Sequence, residues 1–343
     1  MSFQEKNGMK HNEMEENKMA KVENIKNTNN GFELYCELRN FPVGFVNALR
    51  RILITGIPRV VIQDVQILQN TSQLPHEMLK HRTERLPVNV KPSDSATIKD
   101  AKIELRIVTN KEARTVTTDD FAVEAGREGL MMHDRDFDTP SLFLKLRAGE
   151  VVHITGRLAL DAENASHVCT ASTKWHPDPD RVAKDRKIHV EGGGDPRLFD
   201  NFLYQKSYSR DENGRPNWVE LTIESVGVLK SRELLTMAVQ ILRKRLDTYM
   251  SEALKNIKHE QYDKDDPDMI PPYSVAIEQG GHTLGNLLQQ VIYSNKDLVE
   301  FTSYDIPHPL KNMMVLQFTT KKSPESILIA ARKTIEDYCL LIE

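Results

Sequence analysis

The sequence predicts an α+β fold: two small units paired within one chain, each a small antiparallel sheet plus two helices, with a β-rich insert splitting the first unit. Three observations carry this expectation. Two segments place apolar residues at the same five helical spacings, i, i+3, i+4, i+7 and i+8. Each of these segments lies between strand-like runs, and each unit closes with a second amphipathic stretch. The order strand–helix–strand…strand–helix therefore occurs twice, once compact and once interrupted. Helical spacing is generic, so a chance match stands beside duplication at this level.

The first unit begins at Phe32, where FELYCELR (32–39) alternates as a strand does. Pro42 suits the first turn of a helix, and Phe45, Ala48, Leu49, Ile52 and Leu53 form its apolar face. Gly56 and Pro58 stop it, and the β-branched run Val60-Val61-Ile62 continues as a strand through Val65 and Ile67. After a long gap WVELTIES (218–225) reads as the returning strand. Residues 231–256 then read as a long helix with Leu235, Ala238, Leu242 and Leu246 on one face.

The second unit follows Pro272. YSVAIEQ (273–279) reads as a strand, and Thr283 is a good N-cap. Leu284, Leu287, Leu288, Val291 and Ile292 repeat the five spacings. Strands at 298–304 and 313–320 precede a final helix from Pro324, which turns Leu328, Ala331, Ile335, Tyr338, Cys339 and Ile342 inward.

The gap, roughly 72–216, carries its own strands at 101–109, 113–118, 142–147 and 151–160. Polar Gly/Pro/Asp clusters at 91–95, 176–180, 192–196 and 211–216 read as turns. The expected division is a tail (1–20), a first part (21–71), the insert (72–216), a second part (217–262), a linker (263–272) and the second unit (273–343). The tail is rich in Lys, Glu and Asn, reads as mobile, and lacks the apolar stretch of a signal peptide.

The chain has 343 residues, 39% hydrophobic and 28% charged, with a formal net charge of −4. That acidic balance argues against a protein whose main task is gripping phosphates. No apolar run approaches the roughly 20 residues of a membrane span. Cys36, Cys169 and Cys339 are odd in number and far apart, which argues against a disulfide framework and a Cys-rich zinc site and reads as buried thiols in a reducing compartment.

Catalytic signatures are absent: no phosphate-binding GxxxxGK[ST] loop, HExxH helix or GxSxG elbow occurs. Gly280-Gly281-His282-Thr283-Leu284-Gly285 precedes a helix but lacks dinucleotide spacing and a lysine, so a capping turn competes with a phosphate cradle. His133-Asp134-Arg135-Asp136 and His176-Pro177-Asp178-Pro179-Asp180 combine imidazole with hard oxygens, and read either as divalent-ion loops or as solvated turns. Arg50 and Arg51, beside the first apolar stripe, suit a partner contact or a solvated face. No cofactor is implied.

Two sets of motifs are more specific. Residues 41–53 (FPVGFVNALRRIL) resemble the first-helix signature of RNA polymerase α-type subunits: the bacterial α subunit, the archaeal D subunit and the third-largest eukaryotic subunit. His81 to Val88 (HRTERLPV) is similar to that family's H-R-x-x-x-[IL]-P-[IL] segment, and 219–229 (VELTIESVGVL) to its returning strand. Within the insert, Leu142 to Gly156 and then Ala171 to Trp175 resemble the family's β-rich second domain. HTLGNLL (282–288) followed by YDIPHPL (304–310) resembles the smaller partner, of the archaeal L and eukaryotic eleventh-subunit type. The resemblance spans about 30–343 and favours duplication over chance. A chain with both halves resembles the fused subunit of large nucleocytoplasmic DNA viruses, which implies a viral origin and a place in the host cytoplasm, the nucleus or the virion. Many large partners carry a Cys-rich metal module in the insert. The single insert cysteine, Cys169, cannot form one.

The resemblance implies two α-subunit-type dimerisation domains packed against each other in one molecule. The helix faces already named, together with Leu235, Ala238, Leu242, Ala331 and Ile335, would form the seam. It implies a non-catalytic assembly platform for transcription, with Arg50, Arg51, Arg82, Pro307, His308, Pro309 and Leu310 facing the two largest polymerase subunits. Small zinc-binding polymerase subunits are further implied partners. DNA is met only through the complex, no membrane is involved, and no homodimer is required. Two rival readings are a stand-alone DNA-binding regulator using the insert and a metal-dependent enzyme using the His/Asp loops.

Overall fold

The computed structural model describes residues 19–124, 129–162, 169–259, 272–278, 280–294, 298–308, 310–311 and 313–343. In chain order, β1 (Lys21–Thr28) and β2 (Glu33–Arg39) lead to α1 (Val43–Thr55) and β3 (Arg59–Asn70). The insert adds helices α2 (His76–Glu84) and α3 (Ser95–Asp100), and strands β4 (Lys102–Val108), β5 (Arg114–Thr117), β6 (Ala122–Glu124), β7 (Leu142–Leu146) and β8 (Val151–Asp161). Then come β9 (Cys169–Trp175), α4 (Pro179–Glu191), β10 (Trp218–Ser225) and α5 (Ser231–Ala253). The last unit holds β11 (Ile257–His259), β12 (Tyr273–Glu278), α6 (His282–Ser294), β13 (Val299–Asp305), β14 (Met313–Thr320) and α7 (Pro324–Ile342).

Three antiparallel four-stranded sheets organise these elements: β1-β2-β10-β9, β11-β12-β14-β13 and β3-β8-β4-β6. In β2 the alternation works as read, since Leu34, Cys36 and Leu38 turn inward at 2%, 2% and 1% exposure. Helix α1 packs on β9, α5 and α6; α5 touches β2 and β10 of the first sheet and β12 of the other; α6 lies on β13 and β14. Helix α7 closes against α5 and α6. One continuous apolar core runs through both units, from Leu34 through Leu246 to Cys339. A second core, around Leu79, Leu105, Phe143 and Ile154, belongs to the insert.

The insert's edges differ from the expected 72–216 at both ends. Strand β3 pairs with β8 from Arg59 onward, so the insert's sheet starts before residue 72. Its β-branched run looks continuous with α1 in sequence, but only pairing decides which sheet owns a strand. Conversely, β9, whose residues 171–175 fall within the expected insert, pairs with β10 in the first sheet, and takes Cys169 with it. Inward-facing Cys169 and Ala171 alternate with exposed Thr170 and Ser172, too little apolar contrast to assign the strand to a sheet.

Other differences are local. Residues 176–180, read as a turn, cap α4: Asp178 accepts from the N–H groups of Asp180 (3.0 Å) and Arg181 (3.2 Å), with Pro179 opening the helix. None of α4 is buried, so it has no apolar stripe to read. Thr283 is not the N-cap. The Gly285 N–H bonds to the Gly281 carbonyl at 3.1 Å, which starts α6 at His282. Residues 1–18 of the expected tail (1–20) and 263–271 of the expected linker (263–272) lie outside the described residues, as does Gln279.

Candidate assembly surface

The crossing of α1 and α6 is set by small and polar residues inside an apolar frame. A helix N-terminus leaves its first N–H groups without intrahelical partners, and Pro42, which precedes α1, makes no side-chain cap. The Gly44 N–H instead donates to Oε1 of Gln290 on α6 at 2.7 Å, across 246 positions of sequence. A Cβ at position 44 would stand 2.8 Å from that oxygen and 3.0 Å from Oδ1 of Asn286, so glycine permits the approach. Around this point Phe45, Ala48, Leu49, Ile52 and Leu53 are at most 2% exposed. On α6, Leu287, Leu288, Val291 and Ile292 are at most 1% exposed, with Leu284 at the margin. Leu235, Ala238, Leu242, Ala331 and Ile335 lie in the same core.

Contacts between the two units continue along α5 and α7. The Tyr338 ring of α7 sits 5.5 Å from the rings of both Phe41 and Phe45, which stack on each other at the same spacing. Arg332 reaches Asp247 at 2.7 Å, and Arg243 reaches Glu343 at 3.0 Å. These are exposed pairs, worth little energy each, but they fix the register of α7 along α5. Glu252 accepts the Glu278 N–H at 3.1 Å, tying α5 to β12.

The outward residues sit on three separate elements. Arg50 folds back on Asn47 of its own helix at 3.1–3.2 Å. Arg51 is exposed, and among the described residues its guanidinium has no acidic partner. Arg82 lies on α2, which packs on β3, and its guanidinium stands 5.9 Å from the Phe143 ring. Between β13 and β14, Pro307 and His308 are exposed, and Leu310 is 89% exposed. His308 Nδ1 accepts the Leu310 N–H at 3.1 Å, which shapes that loop. Pro309 lies outside the described residues.

The loops considered for metal or phosphate have structural partners. His133 bonds Asp119 at 2.7 Å and Asp138 at 3.4 Å, and these acids, Asp119 first, hold its pKa above the ordinary value. His176 lies against the Trp218 ring, 3.8 Å between centroids, and bonds Glu220 at 2.7 Å, with Lys174 on the other oxygen at 2.9 Å. Among the described residues no group of three His, Cys, Asp or Glu side chains could hold a metal ion. In the glycine turn, Gly280 lies against Tyr249 and Met314, and Gly285 against Tyr304 and Met314, so both glycines serve close packing. Cys36, Cys169 and Cys339 are free and buried. Among the described residues no helix is long and apolar enough to cross a membrane.

Apolar periodicity left out Gly44, Gln290 and Phe41, although Phe41 and Gly44 lie within the 41–53 motif. Gly44 and Gln290 follow a polar rule invisible to apolar periodicity, although a glycine in the first turn of an otherwise apolar helix hints at a close approach.

Known families match the two units separately. A family profile for the RNA polymerase Rpb3/Rpb11 dimerisation domain matches residues 36–246, and a second profile of the same description matches 273–343. The chain is 25% identical over 238 residues to DNA-directed RNA polymerase subunit Rpo3 of Methanocaldococcus jannaschii, covering 68% of this chain and 97% of that protein. It is 27% identical over 262 residues to the rpac1 subunit of DNA-directed RNA polymerases I and III of Dictyostelium discoideum, covering 61% and 75%. A stretch of 72 residues is 38% identical to the RPAC2 subunit of RNA polymerases I and III of Saccharomyces cerevisiae, covering 20% and 50%. The chain belongs to the RNA polymerase Rpb3/Rpb11 dimerisation-domain family, carries that domain twice, and is a structural rather than a catalytic member of it.

Proposed function

We propose that this chain is a non-catalytic assembly subunit of a DNA-dependent RNA polymerase, an intramolecular pseudo-heterodimer that docks the two largest subunits. The observation that carries this reading is the Gly44–Gln290 contact inside a core shared by both matched segments. Each unit alone would leave a helix face uncovered, and burying apolar surface stabilises by about 25 cal/mol per Å². Joining the partners in one chain makes their pairing independent of protein concentration. The outer faces are then free for larger partners: Arg50 and Arg51 on α1, Arg82 on α2, and the 307–310 loop.

This reading extends to small zinc-binding polymerase subunits as further partners, with DNA met only through the complex. The presence of both domains in one chain favours a viral polymerase, acting in the cytoplasm, the nucleus or the virion. Affinity purification of the native protein tests the proposal. Two very large polymerase subunits at a one-to-one ratio with this chain are expected. Recovery of the chain alone, or with unrelated partners, overturns the reading.

A further inference from the structure

The first sheet contains a like-charge pair that its own strands do not neutralise. Glu33 on β2 and Glu224 on β10 are direct cross-strand partners, an arrangement that destabilises a sheet. The cation that answers them comes from the insert. Arg135 places Nη2 3.5 Å from Glu33 and 3.6 Å from Glu224, while Nη1 donates to the Ser225 carbonyl at 2.8 Å. A planar guanidinium reaches one carbonyl and two carboxylates on two strands from two separate nitrogens, whereas an ammonium holds its three donors on a single nitrogen.

The turn that presents Arg135 is built around Asp134. Its Oδ1 accepts from the N–H groups of Asp136 and Phe137, both at 3.0 Å, and its carbonyl accepts from Asp138 at 2.9 Å. A second contact lies beside it. The Met132 methyl of the insert stands 2.6 Å from where a Cβ at Gly227 would be, and Gly227 has φ of 150°. Gly227 belongs to the loop joining β10 to α5, so the two contacts fall at the end of β10 and in the loop after it, which leads into the longest helix of the shared core.

We propose that Arg135 and the Glu33–Glu224 pair form a latch that seats the insert at one angle on the dimerisation core. Seated so, the insert holds Arg82 at a constant spacing from Arg51. The latch itself is independent of the polymerase reading; its use in docking large subunits rests on that reading.

Spin labels at Lys111→Cys on the insert and Lys333→Cys on α7 test it in the isolated full chain, since the native cysteines are buried. Pulsed dipolar spectroscopy should give one narrow distance distribution. Arg135→Ala should broaden it at least twofold, and Arg135→Lys should fall between. The double variant Glu33→Gln/Glu224→Gln is the discriminating one. It removes the repulsion within the sheet along with the latch, so it should broaden the distribution while the melting temperature stays level or rises. A narrow distribution in the double variant overturns the proposal, as does a broad one accompanied by a lowered melting temperature. If Arg135→Ala does not fold, the double variant alone decides.

Discussion

Gly44 and Gln290 lie 246 positions apart, yet the backbone of one is capped by the side chain of the other at 2.7 Å. This one bond satisfies a donor that α1 cannot satisfy alone, and does so with a group from the other domain. Gln290→Ala is expected to destabilise the whole chain by about 1 kcal/mol, the net value of such a bond. Gln290→Glu keeps an acceptor and places a negative charge at a helix N-terminus, where charge of that sign is favoured. It should match or exceed the wild type at pH 7. Urea denaturation measures both, and a Glu variant weaker than the Ala variant would rule out the capping role.

Leu288 is fully buried at the centre of α6. Leu288→Asp puts an uncompensated charge there and should cost about 4 kcal/mol. Both domains should unfold in the same transition, because their apolar residues form one core. Leu340→Asp, on the exposed face of α7 at 59% exposure, should change stability by less than about 0.5 kcal/mol. Equal midpoints for the two variants would remove α6 from the core.

Gly285 is buried where α6 meets β13 and β14, and an added Cβ would enter the space of the Tyr304 ring and the Met314 sulfur. Helix propensity alone would make Gly285→Ala stabilising, by up to about 1 kcal/mol. Overpacking against the sheet should reverse that sign, with a net loss of about 1–2 kcal/mol. Thermal denaturation reads the sign directly.

Burial pushes the Cys36 and Cys339 thiols up to about 12, and raises Cys169 as well. A raised folded pKa gives stability that is intact below the unfolded value of about 8.5 and is lost as pH climbs toward 12. The chain should therefore weaken from about pH 8.5 upward, with Cys36 and Cys339 each contributing roughly 2 kcal/mol of that loss at pH 10. Cys36→Ala should flatten that slope relative to wild type. The native thiols should also resist alkylation at pH 8, where the unfolded chain reacts three times over. Rapid labelling of native Cys36 would contradict its assigned burial.

Apolar periodicity made much of this fold legible. The stripes of α1, α5, α6 and α7 each have one buried face, and a buried face leaves a repeating trace in sequence. Helix α4 buries nothing, and so left no trace. The ownership of β3 and β9 was illegible for another reason. A strand's residues show which face is buried but not which neighbour supplies its hydrogen bonds, and both strands sit where the chain passes between sheets. The bond that sets the helix crossing involves a glycine and a glutamine, which no hydrophobic pattern marks.

Arg51 has an exposed guanidinium and a buried helix beneath it, so Arg51→Glu should leave stability within about 0.5 kcal/mol of wild type. Under the proposed function it should nevertheless reduce recovery of the large subunits at least tenfold in co-purification. Full recovery would take Arg51 off the docking surface.

The central claim is that the two domains hold each other within a single molecule. Placing a protease site between residues 263 and 271 and cutting the purified chain there tests it most directly. Size-exclusion chromatography with light scattering should find the two pieces together, one of each, at the mass of one intact chain. Pieces that elute apart, or an uncut chain that runs as a dimer by exchanging its halves, would contradict it.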